Sequence, residues 1–174
     1  SIDLVKMAHF ILESRAPGSV DGRLSYLKNI AILQRARVQG LRQLSENGYK
    51  VSRAHAQGDN SQHVSGFLIE AQTAVNLLKH GFTIQGVSQR GTRSGYEYDI
   101  VGLHPKTNAA LGIEVKRELS TILEKNHFGE KDVRVDDSQL YRHASGAKKD
   151  GMAPVIAVAT QKTSAWTGPL VNLL

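Results

Sequence analysis

Apolar residues recur with helical spacing over the first quarter of the chain, in one stripe over residues 2–12 and another over 24–44. A recurrence of this period predicts amphipathic helices. Asn47 and Gly48 form a dipeptide typical of helix ends. We therefore expect an N-terminal helical segment over residues 1–48 that ends at this dipeptide.

The pattern changes twice further along the chain. Residues 49–62 are polar and aperiodic, which predicts a linker. Beyond them one helical stripe is followed by short alternating segments, and a polar helix then leads to a buried strand. These elements are a helix at 63–80, strands at 82–88, 96–103 and 111–116, a helix at 138–148 and a strand at 154–159. The order predicts an α/β fold with a small mixed β-sheet flanked by helices, in a domain over residues 63–174.

Composition narrows the class of protein. The 174 residues are 40% hydrophobic and 22% charged, as in globular chains, and no apolar run is long enough for a membrane span. The chain has no cysteine, which excludes disulfides, thiolate metal sites and a cysteine nucleophile, and its histidines lack zinc-ligand spacing. The net charge of +6 and pI near 9.7 favour a polyanionic or acidic partner.

Candidate chemistry is concentrated in residues 96–116. Side chains alternate along a strand, so Glu114 and Lys116 share one face while Val115 takes the other. A hairpin of this length places Asp99, on the preceding strand, beside Glu114. Two carboxylates and a lysine among apolar strand residues are costly unless they bind something.

A divalent cation would account for the carboxylates. Carboxylate and carbonyl oxygens suit Mg²⁺ or Mn²⁺, which neutralise negative charge on a phosphate and activate water. Glu70 lies at the edge of the apolar stripe of the preceding helix, where it could reach such an ion directly or through a water. The alternative is a surface hairpin with a cross-strand ion pair worth about 0–1 kcal/mol.

The series Glu70, Asp99 and Glu114-Val115-Lys116 resembles the PD-(D/E)XK nuclease superfamily over residues 63–160. The resemblance implies a restriction-endonuclease-like core. It implies metal ligation by Asp99, Glu114 and the Val115 carbonyl, with Lys116 as catalytic lysine and Glu70 as auxiliary acid. The chain departs from the family pattern where Tyr98, rather than proline, precedes Asp99.

Basic residues around this hairpin are candidates for binding nucleic acid. Arginines in the Gly-rich loop at 89–95 could approach a phosphate backbone, although a flexible hairpin loop with solubilising charge is the alternative. We expect His143 to lie at the surface. The nucleic-acid-binding candidates are Arg90, Arg93, Arg117, Gln139, Arg142 and Lys148.

The layout of a helical segment, a polar joint and a basic nuclease resembles the C-terminal toxin regions of contact-dependent growth inhibition proteins. That resemblance implies a fragment of a larger secreted or cell-surface protein that acts on tRNA, or DNA, in a target-cell cytoplasm. It also implies an acidic immunity protein as partner. The first residue, Ser1 rather than Met, agrees with a fragment. The alternatives are a cytoplasmic DNA-repair or junction-resolving endonuclease, which would normally be a symmetric dimer, and a non-catalytic nucleic-acid-binding module.

Overall fold

A computed structural model describes residues 20–56, 64–116 and 139–158 of the chain. Four helices and four strands lie in these ranges. The helices are α1 (Val20–Arg35), α2 (Leu41–Ala56), α3 (Val64–Lys79) and α4 (Gln139–Lys149), and the strands are β1 (Thr83–Arg90), β2 (Glu97–Leu103), β3 (Ala110–Lys116) and β4 (Ala153–Val158).

The strands form one mixed sheet in the order β1-β2-β3-β4. The first three are antiparallel neighbours, and β4 runs parallel to β3. A parallel neighbour needs a crossover, and α4 lies in the connection between β3 and β4. The expected α/β class with a small mixed sheet is confirmed, and each predicted strand is present within one or two residues of its expected bounds.

Helices cover both faces of the sheet. Leu111, Ile113 and Val115 of β3 belong to the apolar core that includes α3. The side chain of Glu114, which alternates with them, accepts a hydrogen bond from Gln139 of α4. Because neighbouring strand residues point to opposite faces, α3 and α4 lie on opposite sides of the sheet.

The N-terminal helices belong to the same core as the sheet. Ile30, Leu33 and Leu44 are almost completely buried in one cluster with residues of α3 and of all four strands. Asn29 of α1 also donates a 2.8 Å hydrogen bond to Gln72 of α3. The helix that carries Glu70 is therefore held from one side by α1 and α2 and from the other by the sheet.

Two expectations for the N-terminal part are corrected. The apolar stripe over 24–44 is not one helix, because Gln39 pairs with β1: its amide donates to Gln85, and its carbonyl accepts from Val87. Gly40 turns the chain there with a φ of +82°, and a Cβ would overlap the Val87 carbonyl oxygen.

The second correction concerns the predicted linker at 49–62. The Asn47-Gly48 dipeptide does not end a helix, since α2 continues through it to Ala56. Leu41 and Leu44 bury one face of α2 against the core, and this packing outweighs the local preference of the dipeptide. The remaining part of the linker, residues 57–62, and the predicted helix at 2–12 lie outside the described residues. None of the described helices is long and apolar enough to cross a bilayer.

Candidate metal and phosphate site

The β2–β3 hairpin brings Asp99 to the amide of Val115. Residue pairs run from Leu103–Ala110 to Ile100–Ile113, and one further step in this register sets Asp99 opposite Glu114. Beyond the last pair, the Val115 amide donates a 2.7 Å hydrogen bond to Oδ2 of Asp99. The Asp99 carboxylate thus lies at the point where the backbone pairing between the two strands ends.

Glu70 meets Asp99 from α3. The charges of Glu70 and Asp99 are close enough to interact, and both also interact with Glu114. Burial, together with repulsion from Glu114, raises the pKa of Glu70 to about 7. Burial and the negative charges of Glu114 and Glu70 likewise hold the pKa of Asp99 well above its usual value.

Glu114 is 5% exposed and is the most heavily partnered carboxylate of the site. Its Oε1 accepts a 2.7 Å hydrogen bond from the Gln139 amide and lies 3.4 Å from the Lys116 ammonium. Its Oε2 accepts a 3.0 Å hydrogen bond from the Tyr96 phenol. A carboxylate oxygen has two acceptor positions, so Oε2 keeps one for a further partner.

Tyr96 is a site residue that the sequence did not reveal. Burial and the nearby Glu114 raise the pKa of its phenol, so it remains a hydrogen-bond donor at neutral pH. The alternation of Tyr96 and Tyr98 about Glu97 suggests a packed aromatic face, but nothing local fixes the distance to Glu114. Gln139, a candidate for binding nucleic acid, donates its amide hydrogen to Glu114.

His143 is buried, contrary to the expectation of a surface histidine, because α4 places it against the sheet. Its Nε2 lies 2.9 Å from the Gly112 carbonyl, so this nitrogen carries the proton and donates. Burial lowers the pKa of the imidazole. Its ring packs against Tyr96 and Tyr98, with centroids 5.6 and 6.0 Å away, and supports the wall beside Glu114.

The remaining basic candidates differ in their surroundings. Arg90 is exposed and lies 3.5 Å from Glu97, and it also donates to the Gly95 carbonyl at 3.0 Å. Arg93 and Lys148 are exposed, whereas Arg142 is partly buried. Arg117 lies outside the described residues.

Asp150 fastens the loop between β1 and β2 to the end of α4. Its carboxylate accepts hydrogen bonds from the Arg93 amide at 2.9 Å, the Ser94 amide at 3.0 Å, the Ser94 hydroxyl and the Tyr98 phenol. Burial alone would raise the pKa of Asp150, but these bonds outweigh it and lower the pKa to about 2. They disfavour the alternative of a freely moving hairpin loop.

The donor set at Asp99 suits a hard cation. Three carboxyl groups crowd together with raised pKa values at two of them, and a divalent ion would relieve their repulsion. As the side chains stand, however, no group of three or more acidic or histidine residues within 20–56, 64–116 and 139–158 is arranged to hold a metal ion. The site therefore fits a divalent cation in the chemistry and charge of its ligand atoms.

No family model, no curated protein and no solved structure matches the chain. Interpretation of the site therefore depends on its own geometry and charge.

Proposed function

We propose that this chain is a divalent-metal-dependent nuclease that hydrolyses phosphodiester bonds. The observation that carries the proposal is the meeting of Glu70, Asp99 and Glu114 within one mutually repelling group, with Lys116 3.4 Å from Glu114. A surface hairpin with a single exposed ion pair would not bring three acids together around a buried Glu114, so the arrangement favours a site that binds a cation.

Each residue has a distinct task in this proposal. Asp99, Glu114 and the Val115 carbonyl would hold Mg²⁺ or Mn²⁺, and Glu70 would complete the site directly or through a water. The ion would supply charge neutralisation at the phosphate and activation of water. Lys116 provides a positive charge at the edge of the same group, where it can orient the attacking water and stabilise the growing negative charge on the phosphate.

The architecture also agrees with a restriction-endonuclease-like core of the PD-(D/E)XK superfamily. Glu70 lies on the helix before the sheet, Asp99 on the first strand of a hairpin, and the Glu114-Val115-Lys116 element on the second. A helix and a parallel strand then complete the order. This membership is part of the proposal.

We further propose that the domain acts as a bacterial toxin on tRNA, or DNA, in the cytoplasm of a target cell and is delivered by a larger secreted or cell-surface protein. The support is the helical N-terminal part that precedes a basic sheet domain, although these helices pack in the same core as the sheet. The net charge of +6 would suit an acidic immunity protein that covers the phosphate-binding surface.

The test is a cleavage assay on tRNA and on plasmid DNA with Mg²⁺, with Mn²⁺ and with chelator. Wild type should cleave at least one substrate only with metal, and Asp99→Ala and Lys116→Ala should lose at least about a hundredfold in rate. Lys106→Ala, at an exposed hairpin-turn residue, is the matched control and should keep its activity. Cleavage that persists in chelator or in both site variants would exclude this site.

Two further outcomes separate the alternatives. Salt-sensitive binding without cleavage of either substrate would favour a non-catalytic nucleic-acid-binding module. A stable dimer by sedimentation, together with preference for branched DNA, would favour a junction-resolving endonuclease.

A further inference from the structure

The backbone of the loop that joins β1 to β2 is held by several hydrogen bonds. Within this arginine loop, which we define as residues 91–95, the Gly91 amide donates to the Tyr96 carbonyl at 2.7 Å and the Gly95 amide to the Gly91 carbonyl at 3.0 Å. Asp150 adds its bonds to the Arg93 and Ser94 amides from the end of α4. A Cβ at Gly91 would overlap Oδ2 of Asp150, so the loop approaches this carboxylate as closely as a backbone can.

The two arginines at this loop differ in how they are engaged. Arg90 is paired with Glu97 and bonded to the Gly95 carbonyl, which uses its guanidinium to close the loop. Arg93 is exposed, and its guanidinium has no ion pair among the described residues. Its backbone amide is fixed by Asp150, so a solvent-accessible positive charge extends from an immobilised point of the chain.

The arginine loop is connected to the acidic site through Tyr96. Tyr96 follows Gly95 directly and donates its phenol hydrogen to Glu114. On the other side, the exposed Lys148 and Lys149 immediately precede Asp150 at the end of α4. Asp150 therefore connects the end of α4, with Lys148 and Lys149, to the loop that carries Arg93 and leads into Tyr96.

We infer that Arg93 binds a backbone phosphate of the nucleic acid next to the one that is hydrolysed, and that Asp150 is the positioning residue that fixes Arg93 for this contact. The inference rests on the proposed nuclease function and adds a binding residue and its support to it. A pre-positioned arginine loses less conformational freedom on binding than one on a mobile loop, so Asp150 raises affinity without touching the substrate.

Removal of the Asp150 charge distinguishes the positioning role from a simple effect of net charge on nucleic-acid binding. Asp150→Asn raises the net charge of a basic protein by one, which on its own would tighten binding to any polyanion. The positioning role predicts weaker binding, because the asparagine oxygen can replace only Oδ1, and the amide nitrogen cannot accept the hydrogen bonds that Oδ2 receives from the Ser94 hydroxyl and the Tyr98 phenol.

The experiment measures binding of fluorescent tRNA and of duplex DNA in chelator as a function of salt, and cleavage of each in Mg²⁺. Arg93→Ala should weaken binding about three- to tenfold, reduce the salt slope by about one, and raise KM with kcat nearly unchanged. Arg35 is an exposed arginine at the end of α1, so Arg35→Ala is the matched control for loss of one charge. It should leave the binding affinity, the salt slope and KM unchanged.

Asp150→Asn should resemble Arg93→Ala, and the double variant should lose little more than either single one. If Asp150→Asn fails to fold, as judged by circular dichroism, Gly91→Ala disturbs the same contact without a change of charge and should also raise KM. Tighter binding by Asp150→Asn would overturn the positioning role.

The proposed function and this inference fail separately. Active wild type with an Arg93→Ala variant that matches Arg35→Ala in binding and KM would overturn the inference and leave the nuclease intact. Wild type that binds with the predicted Arg93 and Asp150 dependence but never cleaves would support the phosphate contact and overturn the nuclease. The RNA and DNA arms identify which phosphate backbone is bound.

Discussion

The Tyr96 phenol donates a 3.0 Å hydrogen bond to Oε2 of Glu114, the least exposed carboxylate of the site. This bond ties the first residue after the arginine loop to the third strand of the sheet. It also occupies one acceptor position of Oε2 and so limits where a cation can approach. Tyr96 therefore orients a carboxylate that the proposed reaction requires.

Replacement of Tyr96 by phenylalanine keeps the ring against His143 and removes only the donor. We expect kcat to fall about tenfold, because Glu114 loses one of the groups that orient it, and the free energy of unfolding to fall by about 1–3 kcal/mol. Tyr98→Phe is the matched comparison, since its phenol bonds to Asp150 rather than to Glu114. Its effect should be on KM, and an equal loss of kcat in both variants would contradict the specific role of Tyr96.

Asp99→Asn tests how much the repulsion among the three acids lowers the stability of the protein when no cation is bound. In chelator at pH 8 this variant should have a higher melting temperature than wild type by a few degrees, because it removes a buried charge that faces Glu70 and Glu114. The asparagine carbonyl can still accept the Val115 amide.

Addition of Mn²⁺ should reverse this order. Ligand binding at a hundred times its Kd stabilises a protein by about 2.7 kcal/mol, so wild type should gain several degrees and Asp99→Asn almost none. An identical Mn²⁺ shift in both proteins, measured by thermal unfolding, would place the ion elsewhere.

Glu70 predicts a pH dependence of stability. Its pKa in the folded chain is raised to about 7 from the ordinary 4.5, so folding favours the protonated form. This contribution is complete below about pH 4.5 and is lost as the pH rises through 7. The free energy of unfolding in chelator should therefore decrease between pH 5 and pH 8, by up to about 3 kcal/mol from this group.

Glu70→Gln should flatten that decrease, as measured by urea unfolding at several pH values. Glu46→Gln, an exposed glutamate of α2, is the control and should keep the wild-type slope. A slope that is the same in all three proteins would contradict the raised pKa of Glu70.

The sequence predicted those features of the fold that depend on residues close to one another in the chain. Strand alternation and the short turn at 104–109 were sufficient to pair β2 with β3, and beyond the last pair Asp99 lies at the Val115 amide. Tyr96 and His143 could not be placed in this way. Their positions depend on how α4 packs across the sheet and on Asp150, which is distant from the arginine loop in sequence.

The N-terminal helices also show that sequence periodicity does not predict tertiary contacts. Ala31 and Val38 are seven residues apart, a spacing that continues a helical stripe even though the chain turns between them. The turn is set by pairing of Gln39 with β1, a tertiary contact that periodicity does not record. The same local signals led to the predicted domain boundary at residue 48. The hydrophobic core instead contains residues from both sides of that position.

Leu33→Ala tests whether α1 and α2 unfold together with the site. Leu33 is completely buried in the cluster that joins α1 to α3 and the sheet, so its truncation should cost about 2–5 kcal/mol. Because the core is continuous, we expect one cooperative transition at a lower temperature, still raised by Mn²⁺ as in wild type. Arg35→Ala, exposed in the same part of α1, should shift stability by less than about 0.5 kcal/mol. An early transition in Leu33→Ala that leaves a later, Mn²⁺-sensitive transition at the wild-type temperature would instead show that the N-terminal helices fold apart from the sheet, and Glu70 would then not need them for its position.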